Sequence, residues 1–403
     1  MLDAYIYDGI RSPIGRHAGK LAGMRPDDLA GEVIAEVVKR NGVKPEDISD
    51  VILGCVTQAG EDCRNVARFA TLMAGLPPSV PGVTVNRLCA SGLQAVTDAA
   101  RAITTGEGEL YIAGGVESMS RAPFVMGKSD SPYSRDVKMY DTTIGSRFTN
   151  PRFRKMYGDQ AMPETGDNVA REFGVSREQA DEFALGSQKK YAKAEAEGFY
   201  KGEILGISLP SKKRDAPATV VTQDEHPRRD STMESLTRLK PLYEGGVVTA
   251  GNASGVNDGA AALVIGSLSW GKKNNRRPIA RILSAASAAV EPRIMGVGPA
   301  YAIPRALERA GRSLKDMDII EINEAFASQV LGCLALMKVD FKDPRVNPNG
   351  GAIAIGHPLG CSGARLALTV SRQLQETGAK YAAVSLCIGV GQGLAVILER
   401  AGN

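Results

Sequence analysis

Apolar residues recur at helical spacing over residues 26–39: Leu29, Val33, Ile34, Val37 and Val38 share one face, and Pro26, Asp27 and Asp28 mark the start. Short apolar runs at residues 4–8, 50–56 and 110–113 predict buried strands, and helical patterns at 65–73 and 93–104 alternate with them. That alternation predicts an α/β layer architecture. From about 121 to 242 the texture changes. Pro123, Gly127, Pro132, Gly145, Pro151 and Pro163 mix with charge and tyrosine, interrupted by a helical stretch at 177–197. A large insertion on the first α/β unit is expected there, of the kind that carries binding surface. A glycine-rich loop at 248–259 leads into a strand at 260–265, and a basic linker at 272–277 joins two halves.

The second half repeats the first. Residues 41–53 line up with 310–322 at an offset of 269 to 270 residues: in both, a glycine follows a helix end and a polar turn leads into an apolar strand. Further on, Cys89-Ala90-Ser91-Gly92-Leu93 finds an echo in Cys361-Ser362-Gly363-Ala364-Arg365, each opening a helix. Two similar α/β halves facing each other are therefore expected.

Composition narrows the class. The 403 residues are 43% hydrophobic and 23% charged with a net charge of +4, which suits a globular enzyme and gives nucleic-acid binding little support. Six cysteines without a CxxC pair point to reduced thiols and a cytoplasmic location. The N-terminus reads as a strand rather than a signal peptide, and no apolar run is long enough to span a membrane.

Three glycine-framed positions carry the candidate chemistry. An apolar, β-branched strand runs through Val83 and Val85 into Cys89 and straight on into a helix, whose N-terminus favours a thiolate. The competing reading is a buried structural cysteine. His357 lies among Gly350, Gly351, Gly356 and Gly360 beside Pro358, where backbone comes close, whereas His17 and His226 read as surface residues. Cys387 leaves the last apolar strand into Gly389, Gly391 and Gly393, whose N–H groups suit an oxyanion. With Asn323 at another strand end, these residues form a constellation for acyl transfer through a thioester. Zinc is disfavoured because Cys89, His357, Cys361 and Cys387 lack paired-ligand spacing. A Cys89–Cys387 disulfide is sterically conceivable but would not persist in the cytoplasm.

On Asn86-Arg87-Leu88-Cys89-Ala90-Ser91-Gly92, Gly114-Gly115-Val116-Glu117-Ser118-Met119-Ser120, Asn323-Glu324-Ala325-Phe326, Gly356-His357-Pro358 and Cys387-Ile388-Gly389, the chain resembles the thiolase family along almost its whole length. The resemblance implies an α/β thiolase fold: two similar βαβαβαββ halves in five layers (αβαβα), with an inserted loop domain. The implied units are 1–120 with 243–272, the loop domain 121–242, and 273–403. By the same resemblance Cys89 takes up the acyl group and His357 accepts its proton. Cys387 protonates the leaving acetyl-CoA carbanion in thiolysis or removes the α-proton in condensation. One oxyanion pocket combines His357 with a water held by Asn323, and the other uses the N–H groups of Cys89 and Gly389.

Coenzyme A is the implied cosubstrate, with no tightly bound cofactor and no metal. Its implied contacts are Met162, Arg228, Ser235, Ala250, Ser254, Met295 and Phe326, with Arg228 at the adenine and phosphate end. The stretches 59–68, 120–128 and 141–145 are most similar to the branch that cleaves 3-oxoadipyl-CoA to succinyl-CoA and acetyl-CoA. The alternatives are a general 3-ketoacyl-CoA thiolase of fatty-acid oxidation and an acetoacetyl-CoA thiolase; Ala161, where some acetoacetyl-CoA-specific relatives carry His, weighs against the latter. A decarboxylating ketoacyl synthase would present His or Asn in place of Cys387. A non-catalytic lipid-binding relative would have lost Cys89, His357 or Cys387. The family implies acyl-CoA partners, no nucleic acid, no membrane, and a homotetramer built as a dimer of dimers.

Overall fold

The computed structural model describes residues 1–209 and 218–402. Nine strands among these residues form one continuous path: β1 (Ala4–Arg11), β2 (Asp50–Gly54), β3 (Gly82–Val85), β4 (Leu110–Ser118), β5 (Asn257–Gly266), β6 (Ala280–Ala289), β7 (Ile319–Ile322), β8 (Tyr381–Ile388) and β9 (Gln392–Arg400). Their order is β7-β8-β9-β6-β1-β5-β4-β2-β3, and the short strand Gly15–Arg16 pairs with β5 to one side. The order splits into two equivalent sheets, β3-β2-β4-β5-β1 and β7-β8-β9-β6. They meet where β1 and β6 pair antiparallel over only Ala4–Ile6 and Ala280–Ile282. Among the described residues the second half has no full counterpart of β3. A single parallel bridge from Ile320 to Val346 stands in its place.

Helices fill the layers between and outside the sheets. Ser91–Thr105 and Leu359–Thr377 pack against each other in the middle, and residues from both halves merge there into one apolar core. Pro26–Arg40 and Val66–Met73 cover the outer face of the first sheet. Gly298–Arg309 and Ala327–Met337 cover that of the second. The expected five layers, αβαβα, result. The central helices come close because they meet through glycines: a Cβ on Gly92 would stand 2.5 Å from Gly360 O, and one on Gly363 would overlap Leu93 N.

Several elements run longer than their sequence pattern predicts. The strand expected at 110–113 continues to Ser118, so the glycine motif belongs to the strand. A Cβ on Gly114 would collide with Ala261 O across the sheet, and one on Gly115 with Gly360 O. Those glycines mark close backbone approach, not a turn. β5 likewise starts at Asn257, inside the expected glycine-rich loop.

The first strand reaches Arg11, whose guanidinium is fully buried between Glu203 (2.5 Å) and Asp224 (2.7 and 2.9 Å). Asp224 also accepts from Ile14 N–H and Tyr191 Oη. Residues far along the segment between β4 and β5 are thereby pinned to β1, and removing one partner of such a buried pair costs about 3–5 kcal/mol. Tyr191 belongs to the helix Arg177–Ala196, which opens with a Ser176–Gln179 capping box.

Candidate active site

β3 ends at Val85, and the helix Ser91–Thr105 begins after a tight turn containing Cys89. Leu88 sits in that turn at φ 46°, a conformation costly for a branched side chain. Hydrogen bonds impose it. Leu88 N–H donates to Asn86 Oδ1 (2.9 Å), Ser91 Oγ donates to Leu88 O (2.6 Å), and Arg87 N–H donates to Ser91 Oγ (2.9 Å). The N–H groups of Gly389 and of Cys89 itself face the sulfur. Burial nevertheless pushes the Cys89 thiol above its ordinary pKa. The expected thiolate-favouring helix terminus is therefore overruled: Cys89 precedes the first helical residue, and desolvation outweighs the two N–H dipoles. A resting thiol needs a base.

His357 is the candidate named for that role from the sequence. It is 4% exposed, and its Nε2 lies 3.3 Å from Asn323 Nδ2 while Nδ1 lies 2.7 Å from Ser362 Oγ. Its backbone N–H donates to Asn257 Oδ1 (2.8 Å). Gly356 before it takes φ 109°, and a Cβ there would stand 2.6 Å from the Asn257 side chain. Burial, aided by the Arg365 charge, pushes the imidazole pKa down to about 3, so it is neutral at physiological pH. Asn323 follows β7 and is fully buried; its N–H donates to Ser385 O, and its Oδ1 has no protein partner among the described residues. Cys387 lies in β8, fully buried, with its thiol pushed well up by burial and by the nearby Cys89. The four side chains named from sequence thus come from the two central helix starts and two strand ends of the second half.

Two buried glutamates that sequence reading left without a role hold this arrangement. Glu117 accepts N–H from Val56 (3.0 Å), Thr57 (2.9 Å) and Gly360 (2.8 Å), tying the loop after β2 to the start of the helix that follows His357. Burial raises its pKa to about 7. Glu324 accepts from Ser187 Oγ (2.6 Å), Asn347 Nδ2 (2.8 Å) and Ile353 N–H (3.2 Å), tying the helix Arg177–Ala196 to the loop before His357.

The implied coenzyme A residues fall into two groups. Met162, Met295 and Phe326 form an apolar cluster with Cys387, Val248 and Ala253. Gly389 borders it, since a Cβ there would meet Leu88 Cδ1 at 3.3 Å and Met162 Sδ at 4.0 Å. Arg228, Ser235 and Ala250 line an outer cavity of about 330 Å³ with Gln188, His226 and Ile353. The loop Thr249–Ser254 joins the groups: Ala250 belongs to the cavity, Ala253 to the cluster, and Ser254 N–H donates to Ala325 O (2.9 Å). A larger groove of about 830 Å³, bordered by Phe183, Lys190 and Phe341, contains none of the sequence-predicted site residues.

His226 is a correction. It is half-buried rather than a surface residue, and burial together with the Arg228 charge pushes its pKa down to about 4. Its charged neighbours were misleading, because Asp224 points inward to Arg11.

Residues 4–269 match the family model of the thiolase N-terminal domain, and residues 276–400 match that of the thiolase C-terminal domain. The chain belongs to the thiolase family. It is 56% identical over 402 residues to a β-ketoadipyl-CoA thiolase of Escherichia coli, covering 99% of this chain and 100% of that one. A β-ketoadipyl-CoA thiolase of Pseudomonas putida is 54% identical over 402 residues, with the same coverage. The crystal structure of the Bacillus anthracis acetyl-CoA acetyltransferase superposes with a TM-score of 0.92 at 38% identity, over 99% of both chains. This thiolase therefore has the thiolase fold and is an acyltransferase. No helix among its described residues is long and apolar enough to cross a membrane.

Proposed function

We propose that this thiolase cleaves 3-oxoadipyl-CoA with coenzyme A to succinyl-CoA and acetyl-CoA. The observation that carries the substrate assignment is end-to-end identity of 56% and 54% to β-ketoadipyl-CoA thiolases. His357 Nε2 takes the Cys89 proton, and the thiolate attacks the 3-oxo carbonyl. The Cα–Cβ bond then breaks, its electron pair passes to the acetyl-CoA carbanion, and the Cys387 S–H protonates that carbon. The Cys387 thiolate takes the proton of a second coenzyme A thiol, whose sulfur attacks the succinyl–Cys89 thioester; the C–S bond to Cys89 breaks and the departing Cys89 thiolate recovers its proton from His357. The Cys89 and Gly389 N–H groups stabilise the oxyanion at the acylated sulfur, and His357 with an Asn323-held water stabilises the enolate oxygen.

Coenzyme A runs from Arg228, Ser235 and Ala250 at the outer cavity, past Ser254, to Met162, Met295 and Phe326 beside Cys387, as a dissociable cosubstrate. We assign its binding to the loop domain 121–242 set between 1–120 with 243–272 on one side and 273–403 on the other. We also propose a cytoplasmic homotetramer. Exposed Val83 on the edge strand β3, with Phe69, Leu72 and Met73 beside it, supports one interface. Exposed Phe124, Met126 and Met139 on a two-stranded hairpin support the other. Light scattering tests the assembly.

The substrate test compares kcat/KM for CoA-dependent thiolysis of 3-oxoadipyl-CoA, acetoacetyl-CoA and a medium-chain 3-oxoacyl-CoA. A clear preference for 3-oxoadipyl-CoA is expected. A preference for either monoacyl substrate keeps the mechanism and overturns the substrate.

A further inference from the structure

Ser362 sits one turn into the helix Leu359–Thr377, 1% exposed, with a hydroxyl that makes two hydrogen bonds. Oγ donates to Pro358 O (2.9 Å), the common back-bond of a serine in a helix, which alone would make it structural. Its second bond is to His357 Nδ1 at 2.7 Å. A hydroxyl has one proton. With that proton on the Pro358 carbonyl, Oγ faces the ring as an acceptor, so the imidazole proton belongs on Nδ1 and the lone pair on Nε2.

The first half uses its matching serine in the same way. Ser91 Oγ accepts from Arg87 N–H and donates to Leu88 O, and so shapes the Cys89 turn. In each half, one serine hydroxyl near the start of a central helix carries the geometry of the reactive group before it.

We propose that Ser362 is a positioning residue that fixes His357 as the Nδ1–H tautomer and thereby presents the Nε2 lone pair to the Cys89 thiol. The proposal rests on His357 being the base. A base that must pick up a proton at one nitrogen is useless in the other tautomer, whatever its basicity.

The test follows iodoacetamide alkylation of Cys89 against pH on the intact enzyme, read as the mass of the Cys89 peptide, for wild type, H357A, S362A and S362T. H357A and S362A are expected to slow alkylation at pH 7 about 100-fold and to move the profile to higher pH. S362T, which keeps the hydroxyl, is expected to recover most of the loss, with KM for coenzyme A unchanged throughout. If H357A slows alkylation and S362A does not, Ser362 is structural only and the proposal falls. If neither does, the assignment of His357 as base falls first. Nitrogen-15 spectra of histidine-labelled wild type decide the tautomer without any variant: a proton on His357 Nδ1 is expected, and one on Nε2 at pH 7 overturns the proposal.

Discussion

The two halves share a strand order and a pair of central helices, yet they differ most at one equivalent connection. In the second half, β8 turns into β9 through Gly389-Val390-Gly391, with Ile388 paired to Gln392 and with Val390 and Gly391 at φ 64° and 84°. In the first half, β4 and β5 pair just as directly, Ser118 to Asp258, but everything from Met119 to Val256 lies between them. The tight turn aims an N–H at the Cys89 sulfur, while the long excursion builds the cavity around Arg228. A duplicated fold tolerates both because the strand pairing beneath each connection is set by the sheet. On the roles proposed above, one half specialises in chemistry and the other in holding the cosubstrate, although the proposed nucleophile itself belongs to the first.

The sharpest way to break that division is to remove one sulfur from each half. C89A is expected to abolish covalent acylation by labelled acetyl-CoA and to lower kcat by at least about 10⁴-fold. C387A is expected to leave acylation intact while carbon–carbon cleavage falls about 10³-fold. Mass spectrometry of the trapped acyl-enzyme separates the two steps. Label in C89A, or unimpaired cleavage in C387A, removes the corresponding role.

The turn in the second half comes next. A Cβ on Gly391 meets the Val290 carbonyl, and φ 84° excludes most side chains. G391A should therefore shift Gly389 N–H off the sulfur and lower kcat about 100-fold, as loss of one oxyanion donor does, with KM for coenzyme A little changed. A rise in KM at constant kcat would show that the turn binds rather than catalyses.

Much of this was legible in the sequence because chemistry and backbone permissiveness coincide. Cys89, His357 and Cys387 each stand beside glycines, and glycines are costly unless close approach requires them. The repeat was legible because a glycine, a polar turn and an apolar run recur in one order. Three things were hidden. The continuation of the 110–113 strand through Gly114 and Gly115 was hidden because composition cannot distinguish the end of a strand from one crowded by Ala261 and Gly360. Glu117 and Ser362 act through partners far away in sequence or through a side-chain rotamer, neither of which periodicity encodes. The rise in the Cys89 pKa depends on how much water the assembled halves exclude, a property of the packed molecule.

Burial also sets a pH signature that separates the halves. His357, pushed down to about 3, stays neutral as pH falls from 7 to 5, so the base remains available. A histidine left at 6.5 would lose roughly 25-fold in kcat over that interval. The kcat–pH profile is therefore expected to show no such acid limb. The matching effect on stability has the same sign: with the folded pKa depressed, the His357 contribution is complete above about 6.5 and is lost as pH falls toward 3. Urea midpoints of wild type and H357N should converge over that window. Glu117, raised to about 7, acts in the opposite sense, its contribution being lost as pH rises from about 4.5 through 7. An ionisation near 6.5 that disappears in H357N would show that the second-half site is open to water.

The smallest effect belongs to the long excursion of the first half. Arg228 is exposed, and its N–H is fixed by Gln188 Oε1 (2.9 Å) at the rim of the outer cavity. A charge at that depth is screened, so the pairing proposed for it with a phosphate is expected to contribute about 1 kcal/mol. R228A is accordingly expected to raise KM for coenzyme A about 5- to 10-fold while kcat stays within twofold, and to lose that difference in high salt. The contrast with G391A is the informative part. If R228A lowers kcat instead, remote binding energy from the nucleotide end is being used at the reacting carbon, and the two connections are coupled rather than specialised.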